Sequence, residues 1–217
     1  MKFKEIFPLQ VVINLDSRED RIKECREKEF PKLGISPIRK SGIIFNKTNN
    51  SWWNGAIGCM ISHYQILQAA LLLDTNVFIF EDDISFIGNK PRENLEEACG
   101  QIENRNWDML YMGGNLLKPA YQITSKLAKL THAQSTSSYG VNKCFIKKLL
   151  EYIDLTEIKK PIDLIYAENV IPENNCYITI PMLAIQKTDY SDIEKHEMSY
   201  DLPMRRYEHF LRKKDIL

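Results

Sequence analysis

The stretch VFIFEDDISF, residues 77–86, places three acidic side chains directly after an apolar run. The run is rich in β-branched and aromatic residues and has no polar face, so it predicts a buried strand over residues 76–80. Glu81, Asp82 and Asp83 then follow without a gap. Like charges this close raise one another's pKa unless something positive lies among them. The stretch therefore predicts a positive partner at the end of a buried strand.

The sequence around this strand alternates between strand and helix patterns. Strands are predicted at residues 10–15, 36–44, 107–112, 130–133 and 176–180, and helices at 17–30, from 55, at 91–104, from 141 and at 203–214. Ser17 is the expected N-cap of the first helix, Pro31 its stop, and Asn54 the N-cap of the apolar helix that follows. This alternation predicts a single α/β domain over residues 1–217, with a mostly parallel central sheet flanked by helices.

Three polar or glycine-rich segments follow predicted strands and should share one edge of the sheet. They are Asp16-Ser17, Glu81 to Asp83, and Gly113-Gly114. Ligands of open α/β sheets bind at this edge. Arg18 and Arg21 lie in the first turn of a helix there, where they either bind phosphate or are solvated surface charges.

The acidic triplet has two readings before any comparison with known proteins. Carboxylates after a strand can bind Mg²⁺ or Mn²⁺, with a neighbouring acid on a sugar hydroxyl, or they can form a solvated turn. His63 is a ligand or base, or a satisfied core residue on a buried helix. Trp52 and Trp53 provide a stacking surface or ordinary packing.

Composition narrows the classes of protein. Acidic and basic residues balance at 29 each, which argues against a general nucleic-acid binder. The five cysteines are scattered without zinc spacing, which favours free thiols in a reducing compartment. The first residues lack the apolar core of a signal peptide, and residues 56–73 are too short and too polar for a membrane span. We therefore expect a cytoplasmic protein.

Taken in order along the chain, several segments resemble one enzyme family. They are VINLDSREDR, GAIGCMISH, FIFEDDISF, WDMLYMGG, SSYGVNKCFIKKLL, PIDLIYAE, IPMLAIQ and YSDI. The ordered set resembles glycosyltransferase family 25, which includes lipopolysaccharide and lipooligosaccharide transferases and collagen hydroxylysine galactosyltransferases. One departure is Ala56, which stands where family members often have Glu, so no role for an acid carries over there.

The resemblance implies a GT-A-like fold, a UDP-sugar donor and a divalent metal, Mn²⁺ or Mg²⁺. By position, residues 81–83 match the DxD-like motif, with Glu81 and Asp83 as metal ligands and Glu81 also a partner for ribose. Arg18 and Arg21 match basic positions near the nucleotide or its diphosphate. The predicted cofactor-binding set is Asn14, Arg18, Arg21, Ser62, Glu81 and Asp82.

The family is regarded as inverting, so a base must take the proton of the acceptor hydroxyl. Asp163 matches the acidic residue of the family's Pro-(aliphatic)-Asp segment and is the first candidate, although it could instead be a structural cap. Glu168 and Asp192 are the next candidates. The implied acceptor is a glycan or a hydroxylysine-bearing protein.

Two other functions and one further surface remain open at this stage. The chain could be an inactive sugar-nucleotide-binding or scaffold module, or a metal-dependent nucleotidyltransferase that releases pyrophosphate. The predicted helix at residues 203–214 has an apolar stripe and a basic outer face. That face is either solvated or associates weakly with an anionic membrane surface.

Overall fold

The computed structural model describes residues 1–190, 197–198, 204 and 207–213. Its strands are β1 (Leu9–Asn14), β2 (Ile38–Ser41), β3 (Val77–Glu81), β4 (Ile84–Phe86), β5 (Met109–Tyr111), β6 (Asn115–Leu116), β7 (Ala120–Gln122), β8 (Leu127–Lys129), β9 (Ala133–Gln134), β10 (Ser138–Val141), β11 (Cys176–Thr179), β12 (Ala184–Gln186), β13 (Asp189–Tyr190), β14 (Glu197–Met198) and β15 (Leu211–Lys213).

The helices cover both faces of the sheet. They are α1 (Lys2–Ile6), α2 (Glu19–Glu24), α3 (Phe30–Leu33), α4 (Ser51–Leu72), α5 (Pro91–Ile102), α6 (Lys143–Glu151) and α7 (Ile162–Ile165). A π-helical turn, Cys25–Glu29, joins α2 to α3, and another, Tyr166–Val170, continues α7 into a 3-10 turn, Ile171–Glu173.

The main sheet has nine strands in the order β15-β7-β8-β11-β5-β10-β3-β1-β2. Every antiparallel pairing within it involves β8 or β10, so the other seven strands run in one direction. The expected α/β fold with a mostly parallel central sheet is therefore confirmed.

Each face of the sheet carries its own hydrophobic cluster, and β3 contributes to both. Val77 and Ile79 belong to the cluster beneath α4 and α6, whereas Phe78 and Phe80 belong to the cluster beneath α1 and α5. This alternation follows from the two-residue period of a strand. The acidic side chains at the end of β3 likewise contact different helices: Glu81 contacts α4 and Asp82 contacts α2.

A small second sheet carries one more element to the end of β3. Strand β12 pairs antiparallel with β4, with Gln186 opposite Ile84. The chain can pass this closely because residue 113 is glycine: a Cβ there would lie 1.9 Å from the carbonyl oxygen of Ala184. As a result, β12 runs beside the residues that follow the acidic triplet.

Three expectations about helix ends are wrong. Arg18, not Ser17, is the N-cap of α2, and its side chain makes no capping hydrogen bond. Pro31 does not stop the first helix, because it lies in the first turn of α3, where a proline needs no N–H partner. The side chain of Asn50, not Asn54, caps α4 by accepting from the Trp53 N–H at 3.0 Å.

The strand expected at residues 130–133 is also wrong, since β8 ends before it and β9 begins at its last residue. The C-terminal helix expected at 203–214 is wrong for residues 207–213, although Met204 is helical. Tyr207–Phe210 forms a 3-10 turn, and Leu211–Lys213 is a strand whose backbone pairs with β7. There, edge pairing with the sheet overrides the helical spacing of the apolar residues. Residues 207–213 thus form no α-helix that could support the expected membrane-surface association.

Helix α4 is the structural centre of one face. Its length and mean hydropathy reach those of a membrane span, but half of it is buried within the protein. It contacts β1, β3, α6 and α7, as the core helix of an α/β domain does. Gly58 lets the loop after β2 pack tightly against the helix, because a Cβ there would lie 2.3 Å from the carbonyl oxygen of Ile43.

We expect Gly58→Ala to destabilise the protein by about 1–3 kcal/mol, because overpacking against a backbone carbonyl outweighs the better helix propensity of alanine. Gly100→Ala is the matched control in α5, where a Cβ meets no atom within 4 Å. That variant should gain about 0.5–1 kcal/mol. Urea unfolding of both variants measures the difference, and equal gains would show that the loop does not press on α4.

Candidate active site

A cavity of about 760 Å³ opens where β1, β2 and β3 end. Its walls are the ends of these strands, the loop before β10, the first turns of α4, and α7. Most of the residues predicted for the site line it, namely Asn14, Arg21, Ser62, Glu81, Asp82, Asp83 and Asp163. The carboxyl ends of parallel strands meet at one edge of a sheet, which explains why segments far apart in sequence converge here.

Glu81 points toward α4. Its Oε1 accepts from the Thr136 hydroxyl at 2.6 Å and lies 3.1 Å from Nε2 of His63. Burial alone would raise the pKa of Glu81, but the His63 and Thr136 hydrogen bonds and the charge of Arg21 hold it below its ordinary value. His63 is fully buried, with Nδ1 2.9 Å from the Tyr139 hydroxyl. It is therefore a satisfied core residue that also contacts the site.

Asp82 points to the opposite side and is held by the first βα unit. Its Oδ2 accepts from Nδ2 of Asn14 at 2.6 Å, and its Oδ1 accepts from Arg21 at 3.2 Å. Burial raises the pKa of Asp82, and these two donors oppose the shift. Both oxygens have partners, so Asp82 fixes Asn14 and Arg21 at the rim of the cavity.

Asp83 is the carboxylate of the three with the fewest hydrogen-bond partners among the described residues. Its Oδ2 accepts from Nε2 of Gln186 at 2.8 Å, but its Oδ1 is buried and has no partner among the described residues. Burial, followed by the charge of Glu81, raises the pKa of Asp83 to about 7. An unpartnered buried oxygen beside a second carboxylate suits a hard divalent cation.

Arg39 is not among the residues predicted for the site, although it organises the rim of the cavity. Its Nε donates to Oδ1 of Asn14 at 2.8 Å and its Nη2 donates to Asp16 at 2.5 Å. The Ser41 hydroxyl donates to the same Asp16 oxygen at 2.8 Å. Arg39 lies on β2, the neighbour of β1. A basic residue on a predicted strand was the available sequence signal, and it does not show which side chains that residue meets.

Two residues of the predicted cofactor-binding set have local partners. Arg18 does not line the cavity; its guanidinium pairs with Asp20 at 3.1 Å. Ser62 lines the cavity, donates to the Gly58 carbonyl at 2.7 Å and accepts from the Ile43 N–H at 2.8 Å. Ser62 therefore fastens the loop after β2 to α4.

The candidate bases lie in different surroundings. Asp163 lines the cavity, where burial raises its pKa while the backbone N–H of Leu164 opposes the shift. Glu168 is exposed, forms an ion pair with Lys160, and does not line the cavity. Asp192 lies outside the described residues. Of the candidates that the structure describes, only Asp163 reaches the cavity.

An apolar wall faces the carboxylates across the cavity. Phe45 and Trp52 line it, together with Ala56 at the position where the family often has an acid. Trp52 also stacks on Trp53, with ring centroids 5.7 Å apart and planes inclined by 17°. The cavity thus combines an acidic edge with an aromatic surface of the kind that binds sugars or bases.

Comparison with known proteins adds a family and distant structural likenesses. The profile of Glycosyltransferase family 25 (LPS biosynthesis protein) matches residues 7–166, more than half of the chain. No curated protein matches the chain significantly.

Two solved structures have similar overall shapes. A197 from STIV is 12% identical with a TM-score of 0.49, covering 89% of this chain and 93% of that one. A glycosyltransferase involved in the glycosylation of the major capsid of PBCV-1 is 10% identical with a TM-score of 0.48, covering 87% and 97%.

The raised pKa of Asp83 predicts a pH-dependent loss of stability without divalent ions. A carboxyl group whose folded pKa exceeds its ordinary value contributes stability at low pH and loses it as the pH rises through the folded pKa. The wild type should therefore lose stability relative to Asp83→Asn between the ordinary pKa of 3.8 and about 7. Urea unfolding of both proteins in EDTA across this range measures it. Parallel curves would show that Asp83 titrates normally.

Proposed function

The chain belongs to glycosyltransferase family 25, and from that premise we propose that it transfers a sugar from a UDP-sugar to a hydroxyl group of a glycan, with a divalent metal and with inversion at the sugar carbon. The family resemblance noted in the sequence is confirmed, and the chain is a glycosyltransferase. The observation that supports the finer proposal is the buried Oδ1 of Asp83, which has no partner among the described residues and lies with Glu81 in the cavity.

The metal proposal assigns Glu81 and Asp83 as ligands for Mn²⁺ or Mg²⁺. Both offer hard oxygen atoms, and Asp83 has an oxygen that no described residue satisfies. When bound, such an ion stabilises the charge that develops on a diphosphate leaving group. Gln186 holds the other oxygen of Asp83 and so orients the carboxylate.

The donor proposal places the nucleotide diphosphate along the rim formed by β1 and α2. Arg21 lines the cavity and is fixed by Asp82, so its guanidinium is held where it can meet phosphate oxygens without a large entropic cost. Asn14, positioned by Asp82 and Arg39, adds a polar group beside it. Arg18, which is paired with Asp20, contributes less in this arrangement.

The acceptor proposal assigns Asp163 as the base that takes the proton of the attacking hydroxyl. Burial raises its pKa, and a base works best when its pKa approaches the operating pH. Inversion requires that the hydroxyl attack from the face opposite the leaving group. The acceptor is proposed to be a glycan, in keeping with the family's description as an LPS biosynthesis protein; a hydroxylysine-bearing protein is the alternative acceptor.

Release of UDP from UDP-glucose, UDP-galactose and UDP-N-acetylglucosamine, with Mn²⁺ or EDTA, tests the proposal. We expect Mn²⁺-dependent release from one donor and at least about a hundredfold loss in Asp83→Asn, because that variant removes one of two proposed ligands. Release that is equal in EDTA would reject the metal. Pyrophosphate released from a nucleoside triphosphate would instead identify a nucleotidyltransferase, and binding without turnover would identify an inactive module.

Asp163→Asn tests the base and Glu168→Gln is its matched control. We expect Asp163→Asn to lower transfer by about 10²–10⁴-fold while UDP binding measured by calorimetry is unchanged, because the residue is proposed to act on the acceptor. Glu168→Gln should retain transfer, since its carboxylate is exposed and paired with Lys160. Near-normal transfer by Asp163→Asn would move the base elsewhere.

A further inference from the structure

A group of three potential ligands lies between α4 and the end of β3. Cys59 and His63 are four residues apart on α4 and so lie on one face of the helix. Glu81 faces them from the sheet. The Cys59 sulfur, a ring nitrogen of His63 and a carboxylate oxygen of Glu81 all lie within 4.8 Å of one another. Glu81 is thus common to this group and to the pair that it forms with Asp83.

The surroundings of His63 fit a ligand as well as a core residue. Its Nδ1 lies 2.9 Å from the Tyr139 hydroxyl, which can accept or donate a hydrogen bond. When Nδ1 carries the proton, the lone pair of Nε2 faces Oε1 of Glu81 across 3.1 Å. A cation satisfies two such converging lone pairs. Tyr139 then has the orienting part that outer-shell partners have for metal-bound histidines.

The three ligands also differ in burial, in a way that leaves one side open. His63 is fully buried, whereas Cys59 and Glu81 are partly exposed and line the cavity. A cation held by them would have three protein ligands and a fourth position toward the cavity, the coordination that zinc has where one position stays open to water or substrate. Zinc bond lengths of about 2.0–2.3 Å put ligand atoms about 3.5 Å apart, so a movement of about 1 Å closes the group.

We propose that Cys59, His63 and Glu81 form a binding site for a thiophilic divalent cation such as Zn²⁺, and that this ion competes with Mn²⁺ because both need Glu81. A sulfur, an imidazole and a carboxylate prefer Zn²⁺ to Mn²⁺ or Mg²⁺. Binding at this site does not depend on the proposed function, but the competition does. An ion there withdraws Glu81 from Asp83 and makes the protein sensitive to zinc inhibition.

Titration of the full chain with Co²⁺ tests the sulfur ligand directly, because a cobalt–thiolate bond gives a charge-transfer band in the near ultraviolet. We expect the band in the wild type and in Cys144→Ser, the control that removes an exposed thiol. Cys59→Ser should lose the band and bind Zn²⁺ at least about tenfold more weakly. No band in the wild type, or an unchanged band in Cys59→Ser, would overturn the site.

Two measurements on the wild type keep the test independent of variant folding and of catalysis. Zn²⁺ should slow alkylation of Cys59, mapped by mass spectrometry, but not that of Cys144. Mn²⁺ bound to the protein, followed by its paramagnetic resonance, should be released by Zn²⁺. Unprotected Cys59 rejects the site, and bound Mn²⁺ that Zn²⁺ does not displace rejects the competition.

Asp83→Asn separates failure of this proposal from failure of the proposed function. That variant should lose Mn²⁺ binding and keep the cobalt–thiolate band, whereas Cys59→Ser should do the reverse. If the wild type binds no Mn²⁺ but shows the band, the metal of the proposed function fails and the zinc site stands. Loss of the band in Asp83→Asn would mean that the two ions share one site, and it would overturn the separate site proposed here.

Discussion

Three consecutive carboxylates at the end of a buried strand repel one another, and the site follows from how their side chains are separated. Glu81, the last residue of β3, lies beside His63 of α4, whereas Asp82 follows the strand and accepts from Arg21 of α2. Asp83 then meets Gln186, carried there by the pairing of β12 with β4. Each acid is thus assigned to a different element. Each carboxylate therefore has its own hydrogen-bond partners, and these partners offset the repulsion among the three acids.

Because the three acids lie in different surroundings, their pKa values differ. Hydrogen bonds from His63 and Thr136 keep the pKa of Glu81 low, whereas the scarcity of donors at Asp83 lets burial raise its pKa to about 7. Environments that push neighbouring pKa values apart are characteristic of functional carboxylates. Among the described residues, His63 and Arg21 contact Glu81 and Asp82, whereas Asp83 has a hydrogen bond from Gln186 to one oxygen only, and this is why the proposed metal is assigned to it.

The sequence allowed the strand ends and their common edge to be predicted, because periodicity and β-branching are local signals. Gln186 and Arg39 could not be assigned, since each reaches the site only through a pairing between distant strands. The prediction of a helix in the C-terminal segment was wrong for a related reason. The spacing of Tyr207, Phe210 and Leu211 suits a helix, but the backbone of Leu211–Lys213 pairs with β7 at the edge of the sheet. A local sequence pattern does not show that such an edge lies nearby.

Helix α4 contacts both the site and the hydrophobic core. Site residues that are attached to α4 therefore cannot move without disturbing the core. Ser62 fastens the loop after β2, and Gly58 lets that loop touch the helix. His63, one residue along, is buried against Tyr139 and contacts Glu81. A shift of α4 would therefore disturb the cavity wall, a buried hydrogen bond and a carboxylate together. Asp83 has no such tie to α4 among the described contacts, and one hydrogen bond, from Gln186, holds its carboxylate, so it can move toward the proposed cation without displacing α4.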